Sequence, residues 1–440
     1  MCTNFSITSK ENEPFIGRTM ELGPNLGSEL FFRPKGYEFT QKIEESTLSY
    51  LLKLEEYGIE PLENLESITG VASWVGKYGF VAMNAFGQDI SADGMNTEGL
   101  VTGCMVLTAS EYQEIPERFR NGEEVSDEES NMIYYTNLSN WILSSCATCQ
   151  DVINGLVDVK LVKPADSTLK ERQDLGKKYI VTTPFSKVPN AFKFHFPVHD
   201  AQGNNIVLEY IKGELTITDL APINVLTNDP EISWQQTNVL NNYVGVTPYN
   251  YQDDCGYSIS IAPEAKKGKD GKDTCELEEK QNPKTAPPVF NCNSFAQGTG
   301  FDSVPGSSTP VDRFVRAAMM TNFAFKTSRR EDCSGVADPV TTAFHILNTV
   351  DIPMGTSRDP ANWNDPVSGV HDYTQWSTVS DLKKTEYSIR MYGSPQVFLV
   401  KLGELNLEKL VDTHLSIPTE NKSINLISEA LVPLAFSPLP

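Results

Sequence analysis

The residues best placed to do chemistry stand at the front of the chain. In "MCTNF" the thiol of Cys2 directly follows Met1, and removal of that methionine would leave a thiol and a free α-amine on one residue. Their ordinary pKa values are about 8.5 and about 7.7 to 8.0. The amine can then take the thiol's proton and return it to a leaving group, so nucleophile and base come together. A guanidinium at Arg18 would favour the thiolate, and a carboxylate at Glu21 could accept hydrogen bonds from the terminal ammonium. Three positions apart, Arg18 and Glu21 face opposite sides of a regular strand. Both can address Cys2 only if that strand bends or ends near Leu22-Gly23.

Positioning these groups falls to the opening segment, which reads as a hairpin. Cys2 to Thr8 alternates polar and apolar residues, Ser9 to Pro14 is turn chemistry, and Phe15 to Leu22 is a returning strand. Further strands are expected in "YGFVAMNAFG" and "GLVTGCMVL", the second preceded by the turn-rich Asp93 to Gly99, and again between Tyr179 and Val225. Apolar spacing predicts helices over 40–57, 131–143, 311–325 and 339–350, and another after Thr148, where Thr148-x-x-Asp151 resembles a capping box. Blocks of strands and blocks of helices without strict alternation favour an α+β layered fold over a doubly wound one.

The bulk properties narrow the function. The 440 residues include 36 Lys and Arg against 58 Asp and Glu, a net charge of −22, which argues against a nucleic-acid or anionic-membrane partner. No apolar run is long enough to span a bilayer and no signal peptide is evident, so a cytoplasmic setting is expected, with a periplasmic or secreted one as the alternative if a leader has been removed. One domain over 1–440 is expected, with a charged, Gly- and Pro-rich surface insertion at about 253–293 whose Cys255, Cys275 and Cys292 could pair in an oxidising compartment. Cys146-Ala-Thr-Cys149 is a C-x-x-C without a second ligand pair, and the five histidines form no metal motif.

A series of segments, in order, resembles the choloylglycine hydrolase family of N-terminal-nucleophile hydrolases, whose members include penicillin V acylases and conjugated bile salt hydrolases. They are "MCTNF", "GRTMEL", "FFRPKGYEF", "KYGFVAMNAF", "ADGMNTEGL", "INVLTNDPEISWQQTNVLNNYVGVTP", "FAQGTGFDSVPGSSTPVDRFVRAA", "FHILNTVDIPMG" and "DYTQWSTVSDLKKTEYSIRMY". Taken singly, Arg18 with Glu21 could be a surface ion pair, Asn228-Asp229-Pro230 a turn, and Arg313 a solvated residue. Their joint order carries the resemblance.

That resemblance implies a four-layer αββα sandwich of two antiparallel sheets flanked by helices. It implies Cys2 as nucleophile, Arg18 beside the thiol, Asn228 in the oxyanion hole and Arg313 completing the polar cluster. Glu21 stands where the family usually has Asp, and Val106 where bile salt hydrolases tend to have Asn and penicillin V acylases Tyr. A valine can offer that hole only its backbone N–H. The implied reaction is hydrolysis of a linear amide in a small-molecule substrate, without metal or cofactor, by an enzyme of a family whose members are often homotetramers. The segment "ISWQQTNVLNNYVGVTP" leans toward penicillin V acylases, with bile-acid conjugates or acyl-homoserine lactones as alternatives. Glu21, Val106 and the insertion also motivate a silent homologue that only binds.

Overall fold

The computed structural model describes residues 1–9, 11–41, 59–244, 304–324, 338–357 and 371–420, and the backbone of 266–267 and 273–274. The expected helix at 40–57 and most of the 253–293 segment lie outside the described residues. So do Cys255, Cys275 and Cys292.

The opening hairpin forms as its alternation dictates. Strand β1 (Cys2–Thr8) pairs antiparallel with β2 (Pro14–Leu22), with Cys2 opposite Met20 and Asn4 opposite Arg18. Gly17 is required here because a Cβ would lie 2.4 Å from the Phe5 ring, which is fully buried beneath it. Burying that ring contributes roughly 2 to 3 kcal/mol, and Gly17→Ala would displace it.

The hairpin lies within an antiparallel six-stranded sheet. Its spatial order is Val225–Leu226, β1, β2, Tyr373–Asp381, Glu386–Met391 and Val397–Lys401. A ten-stranded sheet holds Leu30–Arg33, Phe80–Ala85, Gln88–Asn96, Val101–Gly103, Phe194–His199, Asn205–Ile211 and Glu214–Asp219 among its strands. Met105–Val106 joins it beside Phe194–His199, and one pairing, Val159–Val162 with Glu214–Asp219, is parallel.

Helix α1 (Leu138–Ser145) packs on the Gln88–Asn96 strand, and α2 (Cys149–Gly155) follows it, opened by a complete Thr148/Asp151 capping box. Next come α3 (Ile232–Val239), α4 (Pro310–Ala324) and α5 (Pro339–Asn348), the last capped by Asp338. Helix α4 lies on β1 and α5 on β2.

Strand alternation divides the core. Leu30 and Phe32, Val81 and Met83, and Val207 join a cluster with β1, β2, α4 and α5; Phe31, Phe80, Ala82, Ile206 and Leu208 join another with α1 and α2. Period-2 alternation of this kind places successive side chains on opposite faces of a sheet. The fold is α+β.

Two sequence expectations change. Met132–Tyr134, expected as helix, is a buried strand parallel to Ile180–Thr182, and helix begins only at Leu138. Its apolar run is short and fully buried, which a short strand satisfies as well as a helix does. Asp93 to Asn96, expected as turn, belongs to the Gln88–Asn96 strand, and the turn is confined to Thr97–Gly99. Gly94 suits that strand because a Cβ would press within 2.7 Å of Ala82 Cβ and 2.9 Å of Leu143 Cδ1.

Candidate active site

The hairpin register sets which groups can meet Cys2. Cys2, Asn4, Arg18 and Met20 share one face. That face looks onto the ten-stranded sheet: Asn4 Oδ1 lies 2.8 Å from His199 Nε2, and Arg18 Nη1 donates to Asp93 Oδ1 at 3.0 Å. Arg18 is 1% exposed and also donates to the carbonyls of Ala92 and Cys104. Burial opposes its charge, but Asp93 and Cys2 more than compensate and hold the guanidinium's pKa above its usual range. Thus fixed, its Nη2 stands 4.0 Å from Cys2 Sγ, which also contacts Met20 Sδ at 3.6 Å.

The opposite face looks toward α4. There Arg313, fully buried rather than solvated, donates from Nη1 to the Cys2 carbonyl and to Thr3 Oγ1, each at 2.6 Å. Its Nη2 donates to Asn228 Oδ1 at 2.9 Å. Residue 313 lies in the first turn of a helix that begins Pro310-Val311-Asp312, so the guanidinium is delivered straight onto the start of β1. Burial favours loss of its proton, and Glu21 and Cys2 oppose that loss; the net shift is downward.

Asn228 joins these elements. Its Oδ1 accepts from Cys2 N at 2.6 Å as well as from Arg313, and its Nδ2 donates to the Val106 carbonyl at 2.8 Å. A carboxamide nitrogen has two hydrogens, so one remains for a ligand. The neighbouring Asp229 accepts from Thr108 N at 3.0 Å, tying the Asn228 segment to the strand that carries Val106. Val106 thus meets Asn228 through its C=O, whereas the sequence reading assigned its backbone N–H to the oxyanion hole.

Glu21 departs most from the sequence reading. β2 ends at Leu22, as expected, but a register shift between Met20 and Glu21 leaves Gln375 as the extra residue of the neighbouring strand. The Glu21 carboxyl is fully buried: Oε1 accepts from Thr374 Oγ1 at 2.8 Å, while Oε2 has no partner among the described residues. Burial pushes its pKa up despite Arg313 and the terminal ammonium. With Met1 present, the Glu21 backbone does the holding: its N–H donates to the Met1 carbonyl at 2.7 Å and its carbonyl accepts from the Met1 ammonium at 2.5 Å.

Over the thiol lies a pocket of about 50 Å³ whose walls include Leu22, Leu26, Phe86, Ile90, Val106 and Phe192. The extra residue Gln375 helps to shape it, because its side chain binds the Leu22 and Pro24 carbonyls and Leu26 N–H, at 2.8, 2.7 and 3.0 Å. The C-x-x-C cysteines lie elsewhere: Cys146 and Cys149 are buried at the start of α2, and burial pushes both thiols up. Sequence reasoning missed Asp93, Thr374 and Thr3. A buried guanidinium demands a counter-ion, but nothing in the sequence picks one carboxylate out of 58.

Known proteins share this arrangement of strands and helices. The model of the linear amide C–N hydrolases, choloylglycine hydrolase family, matches residues 2–263 and 276–417. The chain is 24% identical over 411 residues to a bile salt hydrolase/transferase from Clostridium perfringens, covering 93% of this chain and 94% of that one. A penicillin V acylase from Pectobacterium atrosepticum is 24% identical over 348 residues, covering 76% and 68% respectively. Among solved structures, a mutant of the conjugated bile acid hydrolase from Clostridium perfringens matches with a TM-score of 0.62 at 20% identity, over 97% of this chain and 100% of that one. Penicillin V acylase from Agrobacterium tumefaciens matches with a TM-score of 0.55 at 19% identity, over 92% and 88%. The chain belongs to the choloylglycine hydrolase family of linear amide C–N hydrolases.

Proposed function

We propose that this chain, once Met1 is removed, hydrolyses linear amide bonds of small molecules with Cys2 Sγ as nucleophile and the Cys2 α-amine as base. The observation that carries the reading is the convergence on one residue: Cys2 N lies 2.6 Å from Asn228 Oδ1, and Cys2 Sγ lies 4.0 Å from Arg18 Nη2. The amine takes the Sγ proton as sulfur bonds to the acyl carbon, then delivers it to the nitrogen as the C–N bond breaks. Water cleaves the resulting thioester, releasing a carboxylic acid and restoring the thiol. Asn228 Nδ2 donates its second hydrogen to the oxyanion, with the Val106 backbone N–H as its partner. Arg313 holds Asn228 and the Cys2 carbonyl, and Glu21 acts on the amine from the helix-facing side.

The finer architecture belongs to the same reading: a four-layer αββα sandwich in a single domain, interrupted by a surface insertion. Supporting it are the alternation of core residues between two clusters and a family match that skips 264–275. Among substrates the reading favours penicillin V-like amides, in keeping with apolar pocket walls that suit an apolar acyl group. The test is turnover of penicillin V, glycocholate and acyl-homoserine lactones by the protein and by Cys2→Ala. The expected outcome is hydrolysis of at least one, lost in the variant; hydrolysis unchanged by Cys2→Ala would overturn the nucleophile assignment.

A further inference from the structure

We propose that Asp93 is a positioning residue for the reaction at Cys2: acting through Arg18, its carboxylate offsets the guanidinium's charge beside the sulfur and joins the Ala92 and Cys104 carbonyls in holding it there. This rests on the hydrolase reading above. The pair is sealed from solvent, with the Arg18 and Asp93 side chains 1% and 2% exposed. Asp93 uses Oδ1 for Arg18, while Oδ2 accepts from Thr378 Oγ1 at 2.9 Å and Tyr387 OH at 2.6 Å. Those hydroxyls come from two strands of the six-stranded sheet, so Asp93 reaches across from the other sheet to a prepared site.

The contacts of Arg18 separate place from charge. The Ala92 and Cys104 carbonyls already pin the guanidinium, and its track runs where a Cβ on Gly103 would lie 1.9 Å from Nη1. Among the described residues, Asp93 is the carboxylate in direct contact with it. That charge matters because a thiolate's intrinsic nucleophilicity falls as it becomes easier to form. An uncompensated guanidinium 4.0 Å from Sγ would favour the thiolate but dull it. Other ionisable groups near Cys2 are Glu21 on β2, which lines the same pocket, Arg313 on α4 and Cys104 just beyond the ten-stranded sheet's Val101–Gly103 strand. Asp372 faces the Met1 ammonium.

The test reads the thiol directly, by thiolate absorbance near 240 nm against pH for each protein minus its Cys2→Ala counterpart. In Asp93→Asn, which keeps the shape and removes the charge, the Cys2 midpoint should fall by roughly one pH unit. Asp93→Glu, which restores the charge, should return it toward the parent value. A folded Asp93→Asn protein with lower thermal stability but an unmoved or raised midpoint would overturn the proposal by reducing Asp93 to a structural role. If that variant does not fold, Tyr387→Phe decides. Losing a hydroxyl that shares the carboxylate's charge should raise the midpoint by a fraction of a unit, and an unmoved or lowered midpoint would overturn the proposal. Because absorbance reports the thiol whether or not an amide is turned over, a failure here is distinguishable from a failure of the hydrolase reading.

Discussion

The two faces of the first hairpin each bring an arginine and a carboxyl group near Cys2, but in different arrangements. Toward the ten-stranded sheet, Arg18 is buried as half of an ion pair and bonded to two carbonyls, with its Nη2 beside the sulfur. Toward the helices, Glu21 is buried with one oxygen held by Thr374 and the other without a partner among the described residues, and Arg313 directs hydrogen bonds to Thr3, Asn228 and the Cys2 carbonyl. Among the described residues Arg18 Nε and Glu21 Oε2 both lack a hydrogen-bond partner, but Arg18 sits in a direct ion pair with Asp93, whereas the Glu21 carboxyl is held by the Thr374 hydroxyl. The difference teaches how a hairpin can divide labour: the sulfur sits against a compensated cation, while the backbone nitrogen sits among groups that hydrogen-bond amides and amines.

The largest expected effect tests the helix-facing side. Asn228→Ala removes the acceptor for Cys2 N and the amide hydrogen assigned to the oxyanion, so kcat should fall by about 10²- to 10³-fold with little change in KM. Steady-state kinetics on whichever amide is turned over checks this. A raised KM at constant kcat would make Asn228 a binding residue and break the comparison.

A smaller effect concerns the buried Glu21 carboxyl. The Glu21 pKa is raised above 4.5, so the folded protein keeps this proton to higher pH than the unfolded chain does. Its contribution to stability is full below about pH 4.5 and is lost as pH rises through the folded value. Glu21→Gln cannot ionise, and thermal melts should show it matching the parent near pH 4 and exceeding it by roughly 2 °C near neutrality. A constant difference across that range would show that Glu21 does not change charge where its burial implies it should.

Much of the frame was legible because local rules and tertiary needs agree there. The alternation of Cys2 to Thr8, the returning strand ending at Leu22 and the Thr148/Asp151 capping box all form as read. Asp93 to Asn96 misled because Asp, Gly and Asn are turn formers by local preference, whereas the close approach of Ala82 and Leu143 requires glycine within a strand. Arg313 was visible as a residue but not as a buried one, since beyond the local Ser308 carbonyl the groups its guanidinium meets, Cys2, Thr3 and Asn228, lie 85 or more positions away. The relation of Arg18 to Glu21 depends on an irregularity one strand away, at Gln375, and no spacing within β2 could reveal it.

The central claim is that Cys2 acts as the first residue of the active protein, and its most direct test is intact mass with N-terminal sequencing on a preparation shown to hydrolyse an amide. The expected result is a chain that begins at Cys2, with its α-amine free. An active preparation in which Met1 is fully retained would contradict the account, because Cys2 N would then be an amide and could not serve as the base.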